Sequence, residues 1–155
     1  MEPIVVALNW FALISAGIMA GIYFTFSVFA MRSFAELGDE AGARAMQVLN
    51  RVIVQTAFLP LFFASTISCA ALVVLGLMGH AGTFVIAGSA AYVLGMFAVT
   101  VAGNVPLNNR LDAVDAASEQ GRALWRDYLV RWTRFNHVRT VSSTAAMALL
   151  AAGMQ

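Results

Sequence analysis

Lysine is absent from this 155-residue chain, and charge of either sign is scarce: nine Arg and eight carboxylates make up only 11% of it. Soluble domains carry about 25% charged residues. A net charge of +1 leaves no electrostatic footprint for nucleic acid, which is not expected as a partner. The single cysteine, Cys69, excludes an internal disulfide and, set among small residues in an apolar run, reads as packing. The two histidines, His80 and His137, show no H-x-x-x-H spacing, so no metal is expected. The eight Met read as apolar filler rather than as soft copper ligands. There is no G-x-G-x-x-G, phosphate loop or nucleophile elbow, and no cofactor is expected. No carboxylate lies inside an apolar stretch, which argues against a proton relay or an ion pump.

What is present is apolar. Hydrophobic residues make up 61% of the chain and mean hydropathy is +0.80, so lipid is the expected solvent. Residues Pro3 to Met31 carry no charge and follow Glu2 without a basic segment, which reads as a span and not as a leader. Between Arg51 and Arg110 the only ionisable side chains besides Cys69 and Tyr92 belong to His80, within "LMGHAGT", where Gly marks a turn between two further spans. The uncharged run at the end, Ala145 to Gly153, is too short to cross alone. Counting back about 20 residues for a crossing starts a fourth span near Thr133.

The expectation is therefore an all-α, four-transmembrane-helix bundle in one membrane domain. Its spans cover about 4–31, 53–77, 82–103 and 133–153, with polar segments at about 32–52 and 104–132. Backbone groups in lipid must be satisfied internally, which requires helices, and the alternating ten-residue strands of a barrel are missing. Every Arg falls in or beside the two polar segments. The positive-inside rule puts those segments in the cytoplasm and both termini outside, in a cell (inner) membrane. "GDEAGARAMQVLNRVIVQTAF" reads as one helix, N-capped by Asp39 and feeding the second span. Val105–Pro106 reads as the break that ends the third. Gly17 and Gly21 form a G-x-x-x-G pair suited to close helix packing, with a homo-oligomer left open.

Candidate functional residues gather at the cytoplasmic mouth. Trp125, Tyr128, Trp132, Asn136, Arg139 and Ser143 recur at steps of three and four, forming one stripe of the last helix. Two readings stand: an interfacial aromatic belt with Arg139 snorkelling to headgroups, or an internal site in which Arg139 and Asn136 bind an oxygen-bearing group. Asn104 and Asn108, in "GNVPLNNRL", read either as a helix end and turn or as part of that site. Gln47 and Asn50 share a face that is either solvated or part of it.

"AMQVLNRV", "GNVPLNNRLDAVD" and "WRDYLVRWTRFNHVRT" resemble the anthrone oxygenase-like family of small four-helix membrane proteins. The resemblance covers essentially the whole chain. It implies a metal-free oxygenase or oxidoreductase acting with O2 on a flat, lipid-soluble phenolic or quinone-like molecule. Loss of a proton from such a substrate leaves an electron-rich enolate that reacts with O2 directly. On that reading Arg139 and Asn136 stabilise the oxyanion and His137 is the candidate base. Trp125 and Trp132 are walls, and Asn104, Asn108, Tyr128, Gln47 and Asn50 contact substrate. The competing reading is a non-catalytic membrane protein, a lipid- or small-molecule-binding or accessory subunit. A haem or copper protein is the weakest alternative. A cavity lined by Asn104, Trp132, Asn136 and Arg139 separates an enzyme from a structural mouth.

Overall fold

The computed structural model describes residues 2–155, and among them every element is helical. Helix α1 (Pro3–Glu36) starts with Pro at its first position, where a missing N–H costs nothing, and runs 34 residues. One turn of it, Phe26–Ala30, is π-helical. Helix α2 (Asp39–Ile53) returns beside it, and α3 (Phe58–Leu77), α4 (Thr83–Asp112) and α5 (Glu119–Ala152) follow. Helices α1, α3 and α4 are long and apolar enough to cross a membrane, which marks this as a membrane protein. Their outward faces carry large apolar groups such as Trp10, Ile14, Phe63, Ile67 and Leu94. Their inward faces alternate small residues with a few large ones. In α1 the buried seam is Val5, Asn9, Ala12, Ala16, Met19 and Tyr23, at steps of three and four. Small seam residues let helices approach closely where lipid offers no hydrophobic drive between them.

Helices α4 and α5 approach closely. A Cβ on Gly88 would lie 3.0 Å from the Ala146 carbonyl oxygen, one on Gly95 2.0 Å from Ser142 Oγ, and one on Gly103 2.8 Å from the Phe135 ring. These three glycines, seven or eight residues apart, form a flat ridge along α4 onto which α5 docks. Gly17 likewise faces Met147 of α5, whereas Gly21 meets nothing within 4 Å. Within one chain the G-x-x-x-G pair thus does not pack as a single unit.

Three local expectations are corrected. First, α2 does not run into α3: residues 54–57 form a turn. The cause is Pro60, whose ring and missing N–H exclude the carbonyl of Thr56 from a helix, yet fit the first turn of one that begins at Phe58. Thr56 Oγ1 closes the turn, donating to the Ile53 carbonyl at 2.7 Å and accepting from the Phe58 N–H at 3.3 Å. Second, Asp39 does not cap α2. Gly38, at φ 87°, makes the reversal, and Asp39 is the first helical residue, its carboxylate paired with Arg126 Nε at 2.7 Å. Third, Pro106 does not end α4. Two π-helical turns, Val93–Ala98 and Thr100–Asn104, precede it, and a widened turn accommodates the ring and the lost hydrogen bond while the helix continues to Asp112.

Helix α5 is one continuous element of 34 residues, about 51 Å at 1.5 Å per residue. Ser118 caps it, accepting from the Gly121 N–H at 2.9 Å. Its buried residues include all six members of the stripe. Two apolar cores lie on either side of the polar half of that stripe, and its aromatic half belongs to the second. One lies between the apolar helices around Ala12, Met19, Leu72, Tyr92 and Leu150; the other lies around Met46, Leu107, Leu111, Trp125 and Trp132. The polar groups collect between the two.

Candidate functional site

Arg139 sits in that polar layer, 5% exposed. Its Nη2 donates to Asn136 Oδ1 at 2.8 Å and its Nη1 to Thr100 Oγ1 at 3.4 Å. The guanidinium carbon lies 4.3 Å from the centroid of the Tyr23 ring and 5.0 Å from that of Trp132. Among the described residues no carboxylate pairs with it, and its Nε has no hydrogen-bond partner. A buried charge costs several kcal/mol of desolvation. Two aromatic faces and one amide offset part of that, at about 0.5–2 kcal/mol per ring. Arg139 therefore does not snorkel: it points inward.

Asn136 holds Arg139 in place. Its Nδ2 donates to the Tyr23 carbonyl and to Ser27 Oγ, both at 2.7 Å, which leaves Oδ1 facing the guanidinium. Ser27 belongs to the π-helical turn of α1 and also meets Thr140 Oγ1 at 2.9 Å. Asn136 is thus a positioning group, tied to α1 on one side and Arg139 on the other.

Next to Arg139 opens a cavity of about 240 Å³. Its polar lining is Tyr23, Asn50, Thr100, Asn104, Asn108 and Arg139, and the rest is apolar, chiefly Phe26, Phe58, Phe62, Phe97 and Trp132. Apolar walls with a few convergent polar groups are the usual composition of a small-molecule site. Asn104 Nδ2 donates to the Trp132 carbonyl at 3.2 Å, while its Oδ1 has no partner; Asn50 Nδ2 also has none. Asn108 Oδ1 accepts from both Tyr128 OH and Trp132 Nε1, each at 2.8 Å. That shared acceptor fixes the Trp132 ring against the cavity. Trp125, Tyr128 and Trp132 stack at centroid spacings of 5.6 and 6.0 Å. Burial pushes the Tyr128 phenol up, so it remains a hydrogen-bond donor.

The structure brings Arg139, Asn104, Asn108, Asn50 and Trp132 to one cavity. Trp125 and Tyr128 stand behind Trp132 and do not line it. Gln47 points elsewhere: its Nε2 donates to the carbonyls of Leu111 and Val114, at 2.8 and 2.9 Å, and closes the end of α4. His137 lies about 100° round the helix from Asn136, on the exposed face, and does not reach the cavity. His80 lies at the opposite end of the fold, its Nδ1 3.3 Å from Glu2 Oε1. Among the described residues no three His, Cys, Asp or Glu side chains come together. Cys69 is fully buried in the apolar core.

Tyr23 and Thr100 are site residues that reading the sequence missed. Thr100, Asn104 and Asn108 follow each other at four-residue steps, the same signal that exposed the stripe of α5. Assuming a helix break at Pro106 hid it.

Fold and site together define an all-helical membrane protein with an aromatic-walled cavity and one buried Arg. A family model described as anthrone oxygenase matches residues 46–149, about two thirds of the chain, and the chain belongs to that family. The matched range includes every polar cavity residue except Tyr23. No curated protein and no solved structure matches the chain.

Proposed function

We propose that this protein is a metal-free oxygenase that binds a flat, oxygen-bearing aromatic molecule as its anion and lets it react with O2. The observation that carries this is Arg139: a buried charge with no carboxylate partner, clamped between two rings on the wall of an apolar cavity. A site that holds a bare cation in a low-dielectric wall stabilises a developing oxyanion strongly, because nothing has to reorganise when the charge appears. For an anthrone-like substrate, a ring CH2 gives up a proton and the resulting enolate adds O2 at carbon. The hydroperoxide then loses water to leave a ketone, so both oxygen atoms and all hydrogens are accounted for. In this scheme Arg139 binds the enolate oxygen, Asn136 and Tyr23 orient Arg139, and Trp132 and Phe62 are walls. Asn50 and Asn104, each with an unpartnered amide atom, and Asn108 contact the ring substituents. His137 is not used. The substrate's proton passes to water, its acidity raised by the Arg139 charge, and water returns a proton to the peroxide anion so that the hydroperoxide forms.

The membrane reading goes with it. Helix α5 is the fourth crossing, entering near Thr133, because its buried face packs against α1 and α4 from Phe135 to Leu150. Both Arg-bearing ends then lie in the cytoplasm and both termini outside, in the inner membrane. The test is O2 uptake by the protein in nanodiscs with a hydroxylated anthrone, compared with Arg139→Gln. A fall of at least about 100-fold is expected, the size of one lost oxyanion donor. Uptake equal to that of empty nanodiscs, or unchanged by Arg139→Gln, removes the oxygenase reading.

A further inference from the structure

The polar and apolar parts of the cavity are separated in space. The deepest polar groups are sealed off: Asn104 is 1% exposed, Tyr23 2% and Arg139 5%, while Thr100 and Asn108 are half-buried. The other end is open. Val54, Phe63, Val101 and Val105 line the same cavity and are 40–51% exposed on the outer surface. Val54 and Phe63 belong to the turn before α3 and to α3, and Val101 and Val105 to α4. The two helices pack along their other halves and part at this level. The gap therefore gives onto the outward face of two helices apolar enough to lie in lipid. No charged group stands at this mouth, so a water-borne ion finds no counter-charge there.

We infer that the ligand is a bilayer-dissolved amphiphile: an oxygen-bearing aromatic head enters sideways between α3 and α4, and an apolar tail stays behind in the lipid. The cavity holds only about 240 Å³, below the roughly 300–1,000 Å³ of pockets that enclose a drug-sized ligand. It accommodates a head and leaves no room for a long tail, whereas the open mouth does not require the tail to fit. This deepens the reading of the cavity as a ligand site and does not depend on the oxygen chemistry.

The test uses the full protein in nanodiscs with 2-methyl- and 2-nonyl-1,4-benzoquinone, following the saturable quenching of Trp132 fluorescence. Referred to the aqueous concentration, the nonyl probe gains about fourfold per methylene from partitioning alone. Referred to mole fraction in the bilayer, the two probes should reach half-saturation within about threefold of each other, since the tail is in lipid both before and after binding. Absence of saturable quenching by the nonyl probe, or a half-saturation more than about tenfold higher, means a closed pocket and overturns the inference. So does saturable quenching that survives Trp132→Phe at full amplitude, because the probe then sits elsewhere. Narrowing the mouth with Val101→Phe and Val105→Phe together should weaken the nonyl probe at least about tenfold and the methyl probe less than threefold. Equal effects on both refute the tail at the mouth. Lateral binding without O2 uptake removes only the oxygenase reading, and O2 uptake with tails excluded removes only this one.

Discussion

Arg139→Met removes the charge from the cavity wall and keeps a chain of similar reach, so it separates a charge held for stability from one held for a ligand. The substitution loses the 2.8 Å bond to Asn136, worth about 1.5–3 kcal/mol for a charged donor. It also leaves the Asn136 oxygen buried without a donor, a cost of about 1–3 kcal/mol. The contacts over Tyr23 and Trp132 are reduced from cation–π to thioether–aromatic, a smaller loss because sulfur also favours ring contacts. On the other side, the several kcal/mol of desolvation that a buried guanidinium carries disappears. The opposing terms are of one size, and the net stability change is expected within about 2 kcal/mol of zero. At about 2–4 °C per kcal/mol for a chain of this length, thermal unfolding in nanodiscs should stay within about 8 °C of the wild type. Ligand binding should behave differently. An anionic head that loses its buried charge partner loses about 2–5 kcal/mol, at least about 30-fold in affinity. The reasoning is refuted by the opposite pattern: a melting point lowered by 15 °C or more with the affinity for an ionised hydroxyanthrone unchanged. Arg139 would then be a structural post.

Gly95→Ala should destabilise by about 1–3 kcal/mol, because its Cβ would stand 2.0 Å from Ser142 Oγ; pairing it with Ser142→Gly should recover most of the loss in thermal melts. His137→Ala should leave ligand binding and O2 uptake within twofold of wild type, since the ring lies on the exposed face of α5. A larger drop would restore it as a base. Asn108→Leu removes the acceptor shared by Tyr128 and Trp132, which should cost about 1–3 kcal/mol per orphaned donor and weaken probe quenching as Trp132 loosens. Asp39→Asn breaks an exposed pair with Arg126 and should change stability by less than about 1 kcal/mol, measured by the same melts.

Residue types and periodicity alone determined that lipid surrounds this chain, that its elements are helices, and that Trp125, Trp132, Asn136 and Arg139 share one helical face. Composition and the 3.6-residue repeat act locally, and no partner helix is needed to compute them. The breaks were less legible. Whether Pro106 ends a helix depends on whether the preceding turns can widen, and whether α2 continues into α3 depends on where Pro60 falls within the first turn. The site was legible on α5 and illegible across helices. Tyr23 and Thr100 are 77 residues apart in a chain with no local signal joining them, and only the docking of α5 on the glycine ridge of α4 and the small-residue seam of α1 brings both to Arg139. The same docking turned His137 outward, sealed Arg139, Asn104 and Tyr23 from the surface and left the apolar end of the cavity open. Those are consequences of which faces meet, and a face acquires a neighbour only when the helices pack.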